Sequence, residues 1–165
     1  MLKDRTSHGE QRKGLREVAA QPEEVYEALR RDALHYGARR NRLYIHGRGL
    51  IDLLLPGAQT DVSYALRAVH TENLIEFAIS LLHPPDCKAL RICLALESEA
   101  RALQTLESRR QDAARLYGVA PNTFRLKHER ALLFDLAFQV YSILIGAGPE
   151  TPEYLIGIVP LQEGE

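Results

Sequence analysis

The chain has 165 residues, of which 45% are apolar and 26% are charged, and its formal net charge is −1. This length suits a single domain with a sizeable core, and the composition excludes a chain that is disordered throughout. Because the net charge is close to zero, any surface for nucleic acid must come from local clusters of charge, and the two cysteines are too few for a secreted disulfide scaffold.

Residues 1–20 are polar and predict a flexible tail, and no apolar stretch of a signal peptide follows the early basic residues. The longest apolar run, from Ala131 to Ile145, is interrupted by polar residues and is shorter than the roughly 20 residues of a membrane span. We therefore expect a cytoplasmic protein that does not contact a membrane.

The next segment predicts helices separated by glycine. Pro22, Glu23 and Glu24 are typical of a helix start, since proline suits the first helical position and acids face the positive end of the helix dipole. Gly37 is the expected end. The segment from Leu43 to Leu55 fits either a helix or a strand, and its glycines weaken both assignments.

The pattern from residue 60 to residue 146 predicts further helices. Thr60 and Asp61 are good N-cap candidates, and Pro84-Pro85 should break this helix and start the next one. Residues 100–106 read as a connector or a frayed helix, whereas residues 132–144 carry a strong helical stripe.

Together these patterns predict a mainly α fold, with one compact multi-helix domain over residues 21–146. Residues 147–165 are expected to be an extended acidic tail, with a short strand near residues 154–159.

Residues 105–130 carry the clearest functional signal. An alanine- and arginine-rich helix runs into Gly118, and Pro121 can start a second helix. Ala114 is small enough for two steeply crossed helices to touch, and Gly118 tolerates the positive φ of a tight turn. Phe124 can then anchor the second helix to the core.

This pattern resembles the helix-turn-helix of many bacterial regulators, in which an alanine is followed by a glycine four residues later and an apolar residue six further on. Ala114, Gly118 and Phe124 match that order. One departure is Lys127, where the motif has an apolar residue, while the apolar Leu126 stands one place earlier. The stretch from Arg109 to Leu136 is also similar to helical modules of uncharacterised actinobacterial proteins.

The resemblance implies a DNA-binding surface on this segment. Six arginines and lysines stand against three acids between Glu107 and Arg130. The expected phosphate contacts are Arg109, Arg110 and Arg115. The residues expected to face bases or backbone at the start of the second helix are Asn122, Thr123, Arg125 and Lys127.

A second basic patch precedes this segment. Between Leu29 and Arg48 six arginines stand against one aspartate, and tyrosines and histidines are interleaved with them. Arginine with tyrosine is typical of surfaces that bind single-stranded nucleic acid. The alternative is a solvated face of ion pairs. The residues of the patch are Arg39, Arg40, Arg42 and Arg48.

No motif predicts catalysis, a cofactor or a metal. The Gly47-Arg48-Gly49 sequence lacks the third glycine of a dinucleotide fingerprint. A zinc deaminase pattern would need a cysteine three residues after Cys87, but Cys93 is six residues away.

Three functions remain open. The first is a small DNA-binding or transcription-related protein, expected to be a homodimer. The second is a non-enzymatic helical module that binds a protein partner, such as an adaptor or accessory subunit. The third is an enzyme or small-molecule sensor with a pocket under the segment from Leu43 to Leu55.

Overall fold

The computed structural model describes residues 21–146. Within this range the chain forms helices and no strand, so the predicted mainly α fold is confirmed. The predicted tail of residues 1–20 lies outside the described residues, as do the acidic residues 147–165 with their predicted strand.

The helices, in chain order, are α1 (Pro22–Ala28), α2 (Arg40–His46), α3 (Arg48–Leu54), α4 (Asp61–Ser80), α5 (Asp86–Cys93), α6 (Glu99–Leu103), α7 (Leu106–Tyr117), α8 (Pro121–Thr123) and α9 (Arg130–Leu144). A π-helical turn at Leu29–Ala33 extends α1, and a second one at Phe124–Glu129 joins α8 to α9.

The start and the end of the first helix follow the predicted signals. Pro22 occupies the first helical position with Glu23 and Glu24 in the first turn. Gly37 has a φ of +95°, and the amide of the next residue, Ala38, donates to the carbonyl of Leu94 at 2.8 Å. The end of the first helix is therefore fixed against the end of α5.

The ambiguous segment from Leu43 to Leu55 is helical and is split into α2 and α3 at Gly47. A Cβ atom at position 47 would lie 2.8 Å from the Cδ2 atom of Leu43 and 3.0 Å from its Cα atom. A larger residue at position 47 would therefore require Leu43, four residues earlier in α2, to shift, which favours glycine at the junction of the two helices.

The central helix α4 begins at the predicted cap, where the Thr60 hydroxyl accepts from the Ser63 amide at 3.2 Å. It runs for 20 residues without interruption. Pro85 is the N-cap of α5 and stands directly before its first residue, so the next helix starts where Pro84-Pro85 predicted it.

A buried arginine joins α3, α4 and the loop between them. Arg67 donates to Asp52 at 2.9 Å and to the carbonyls of Leu55 at 2.9 Å and Ala58 at 2.6 Å. The Tyr64 hydroxyl donates to the same carboxylate at 2.7 Å. Burial alone would raise the pKa of Asp52, but the hydrogen bonds from Tyr64 and Arg67 outweigh it and lower that pKa.

The helices pack around one core. The last helix, α9, packs against α1 and α4, while α5 packs against α7 and α2 against α4. The largest buried apolar side chains include Leu29, Leu43, Leu50, Leu74, Ile75, Leu90, Phe124 and Leu133. Within residues 21–146, no helix combines the length and the hydropathy that crossing a bilayer requires.

Candidate nucleic-acid interface

The corner between α7 and α8 turns at Gly118, the position where the sequence predicts the turn. Thr105 caps α7, its hydroxyl accepting from the Ser108 amide at 3.1 Å. Gly118 ends α7 in the left-handed region with a φ of +64°, and the Val119 amide donates back to the Ala114 carbonyl at 3.2 Å. This pattern closes a helix with one glycine and lets the chain turn sharply.

The small and apolar residues of the corner face inward. Ala114 and Phe124 are buried, as the sequence indicated, and Val119 is half-buried against the core. An aromatic stack supports the turn, with the Tyr117 ring 4.5 Å from that of His128 and the Tyr117 hydroxyl donating to Asp86 at 2.6 Å. Burial and this hydrogen bond raise the pKa of Tyr117.

Arg109 is not a surface residue, which corrects its expected role as a phosphate contact. It is 1% exposed, and its guanidinium donates to the carbonyls of Cys93 and His35, the latter at 2.7 Å. These carbonyls lie where α5 and the first helix end, where the helix dipole favours a cation. Burial lowers the pKa of Arg109. Arg109 therefore joins three helices and is not accessible to DNA.

Arg110 is also engaged inside the protein. Its Nε and Nη2 atoms donate to the two carboxylate oxygens of Glu129 at 2.7 and 2.8 Å, and the two side chains are only 15% and 8% exposed. This bidentate pair raises the pKa of Arg110 and ties α7 to the helix after the turn. In the sequence, Glu129 is one of three acids among the basic residues of the corner, and nothing local marks it as the partner of Arg110.

The remaining predicted residues are mostly on the surface. Arg115, Asn122, Arg125 and Lys127 are exposed, and Thr123 is half-buried. Arg115 pairs with Asp112 at 3.2 Å, but its side chain is still 78% exposed. Four of the seven predicted residues are thus exposed, and they are hereafter called the corner surface: Arg115, Asn122, Arg125 and Lys127.

The start of the second helix is exposed at some positions and buried at others. Positions 125, 126, 127, 130 and 131 are exposed, whereas Phe124 and Glu129 are buried. Arg125 donates to Asn122 at 3.0 Å. Arg130 was not among the predicted DNA contacts, but it adds another exposed cation one helical turn after Lys127.

The second helix does not break near Glu129. The backbone is right-handed helical at Glu129 and Arg130, so residues 121–144 form one helix with a π-helical turn inside it. The start of this helix is therefore continuous with α9, which is anchored in the core by the buried Leu133, Leu136 and Val140.

The four arginines of the earlier basic patch fall into two pairs, one with carboxylate partners and one without them among residues 21–146. Arg40 pairs with Glu72 at 2.9 Å, and Arg48 pairs with Asp61 at 3.1 Å while lying over the rings of Tyr44 and Tyr64. Arg39 and Arg42 are half-buried, and no carboxylate of residues 21–146 lies within ion-pair distance of them.

An open groove lies beside α3, near the pocket that the sensor hypothesis expects. It is lined by acids and by few apolar groups, and one of these acids, Asp52, is already engaged by Arg67 and Tyr64. Among residues 21–146, no group of three or more histidine, cysteine or acidic side chains is arranged to hold a metal ion. The groove residues are Glu23, Glu24, Glu27, Ala28, Arg31, Gly49, Asp52 and Leu53.

The outer face of α9 carries a row of apolar side chains, hereafter the α9 stripe, at positions 134, 138, 141 and 145. Phe134 is 36% exposed, Phe138 58% and Ile145 48%, and Tyr141 is half-buried. Their alternating spacing of four and three residues is that of a coiled-coil seam.

Comparisons with protein-family models, curated proteins and solved structures find no match to this chain. The likenesses to bacterial regulators and to actinobacterial helical proteins therefore rest on the residues of the corner alone.

Proposed function

We propose that this protein binds duplex DNA through the corner surface, with the start of the second helix at the major groove. The observation that carries the proposal is the exposure of Asn122, Arg125 and Lys127 at the start of the second helix, shortly after the exposed Arg115. A helix that enters the major groove, which is about 12 Å wide, must present open positions to the base edges. Positions 122, 125, 126, 127, 130 and 131 are exposed, whereas Phe124 and Glu129 are buried against the protein.

The residues of the corner would contact two different parts of the DNA, the phosphates and the base edges. Arg115, Lys127 and Arg130 are exposed cations that would contact phosphates, while Asn122 and Arg125 have the donor and acceptor groups that read base edges. Arg109 and Arg110 would act indirectly, because Arg110 joins the two helices of the corner through Glu129 and Arg109 joins α7 to α5 and the first helix.

This surface is small, so the expected affinity of one chain is modest and strongly dependent on salt. Three or four phosphate contacts predict a slope of about −3 to −4 when log K is plotted against log salt concentration. Tight and specific binding would need two corners, which agrees with the homodimer expected from the sequence.

The test is fluorescence anisotropy with a random-sequence duplex at low and moderate salt. We expect Arg125→Ala/Lys127→Ala to weaken binding at least tenfold. The matched control is Arg30→Ala/Arg40→Ala, which removes the same charge from exposed ion pairs elsewhere on the protein. Equal losses in both variants, or no binding at low salt, would reject the proposal.

The second candidate is the helical interaction module, and the α9 stripe favours it. Exposed aromatic rings at heptad spacing are typical of a helix that binds another helix. The occupant we propose is a second copy of the chain, in an antiparallel pair that places Phe138 of one copy opposite Tyr141 of the other. The stripe is about 17 Å long, so the interface falls short of the roughly 800 Å² per partner of a standard complex.

A weak dimer is therefore expected, and sedimentation equilibrium up to several hundred micromolar would measure it. Phe138→Glu should abolish self-association, whereas Val62→Glu, at an apolar position of α4 that is 82% exposed and outside the stripe, should not. A chain that stays monomeric at every concentration would exclude this occupant.

A further inference from the structure

An aromatic stack stands on the surface of the earlier basic segment. The rings of Tyr36 and His46 are parallel, with centroids 3.8 Å apart and planes at 8°, and His35 meets Tyr36 edge-on at 4.7 Å. All three residues are exposed, and Tyr36 keeps 40% of its surface in solvent. This stack does not contribute to the core, so core packing does not account for it.

Two arginines share a helical face with His46, one ring of the stack. Arg39, Arg42 and His46 are spaced by three and four residues, which places them along one face of α2 and its cap. Arg42 makes only a long bond of 3.5 Å to the carbonyl of Ala102, and the buried Nε of Arg39 has no hydrogen-bond partner.

The other arginines of this segment are neutralised. Arg30, Arg31, Arg40 and Arg48 each lie within 3.1 Å of a carboxylate oxygen. Within residues 21–146, Arg39 and Arg42 have no such partner. The segment therefore leaves two uncompensated charges, and both lie on the same face of α2 as His46.

We propose that Tyr36, His46, Arg39 and Arg42 form a binding site for single-stranded nucleic acid. A base would extend the stack on the ring of His46 or Tyr36, and the flanking phosphates would accept hydrogen bonds from the two guanidinium groups. Inorganic phosphate or an acidic peptide would use the cations but not the rings. The rings therefore favour a ligand that has both a flat aromatic group and an anion.

This site is separate from the corner surface. It is built on α2 and the residues before it, whereas the corner surface lies on α7 and on the helix of residues 121–144. The site does not depend on duplex binding, and each proposal can fail without the other.

The experiment uses the full chain and a twelve-nucleotide oligo(dT) with a central 2-aminopurine. Anisotropy of an end label reports binding, and quenching of 2-aminopurine reports stacking of the base. We expect Arg39→Ala/Arg42→Ala to weaken binding at least tenfold, and His46→Ala or Tyr36→Leu to remove the quenching. The control Arg30→Ala/Lys88→Ala removes the same charge from exposed positions outside α2 and should bind within about twofold of the unmodified chain.

Several results would overturn the proposal. These are equal losses in the arginine variant and its control, quenching that survives in both His46→Ala and Tyr36→Leu, competition by polyglutamate as strong as by unlabelled oligo(dT), or no binding at low salt. If Arg39→Ala/Arg42→Ala does not fold, Arg39→Lys/Arg42→Lys keeps the charge but removes the planar fork. That variant should lose affinity while its thermal unfolding remains unchanged.

Discussion

The two arginine-rich segments of this protein, residues 29–48 and the corner at residues 105–130, use similar side chains in opposite ways. In the corner, two arginines of α7 point inward: Arg110 joins α7 to the helix after the turn, and Arg109 joins it to α5 and the first helix. In residues 29–48, four arginines form ion pairs with carboxylates, and two have no such partner among residues 21–146. The partner of each guanidinium group, and not the number of charges, decides whether it serves folding or binding.

The largest effect should come from the buried arginine of the corner. Arg109→Ala removes the donor to the carbonyls of Cys93 and His35 and leaves a cavity between three helices. We expect a loss of about 3 kcal/mol in the free energy of unfolding, measured by urea denaturation. The exposed Arg115→Ala is the control and should change it by less than about 0.5 kcal/mol. Similar losses in both variants would contradict the inward role of Arg109.

The ion pair between Arg110 and Glu129 should have the next largest effect. Replacing either residue leaves a partly buried charge without its partner, and we expect a loss of about 2 kcal/mol for each single variant. The double variant Arg110→Met/Glu129→Gln should lose clearly less than the sum, with a coupling energy of about 1–2 kcal/mol. Additive losses in a double-mutant cycle would show that the pair does not stabilise the corner.

The turn itself should contribute less. No atom lies within 4 Å of a Cβ added at Gly118, so Gly118→Ala meets no clash and loses stability only because of its positive φ. We expect a loss of about 1 kcal/mol, and a smaller one for Gly118→Asn, because asparagine tolerates the left-handed region better than alanine. Equal stability of all three chains in urea would indicate that the turn relaxes to another conformation.

The smallest effect concerns pH and lies outside both segments. Burial alone would raise the pKa of Asp52. The hydrogen bonds from Tyr64 and Arg67 lower it by more than burial raises it, so the pKa of Asp52 is depressed. A depressed carboxyl pKa stabilises the fold above the unfolded value of about 4, and this contribution is lost as the pH falls through the folded pKa. The stability difference between the unmodified chain and Asp52→Asn should therefore shrink between pH 6 and pH 3. A difference that is constant over this range would contradict the shift.

Much of the fold could be predicted from local signals. Proline at position 22, the cap at Thr60 and the glycine at position 118 act within a few residues, so the sequence predicted the elements that they start or end. The segment from Leu43 to Leu55 stayed ambiguous, because its glycines weaken both a helix and a strand and its apolar run fits either one.

The candidate site was predicted only in part, since the partners of its arginines are distant in the chain. Arg109 donates to a carbonyl 74 residues away, and Arg110 pairs with an acid 19 residues away on the other helix of the corner. Counting charges cannot separate such residues from Arg125 or Lys127, because only tertiary packing decides which side chains are buried.

The most direct test of the account is an NMR titration of the isotopically labelled chain with a 14-base-pair duplex at low salt. The account predicts shifts of the amide signals of residues 115 and 122–130, with little change in residues 36–46. Addition of oligo(dT) should then shift the signals of residues 36–46. Two results would contradict DNA binding by the corner surface. One is that the duplex shifts amide signals only outside residues 115–130, and the other is that it shifts none at millimolar concentration.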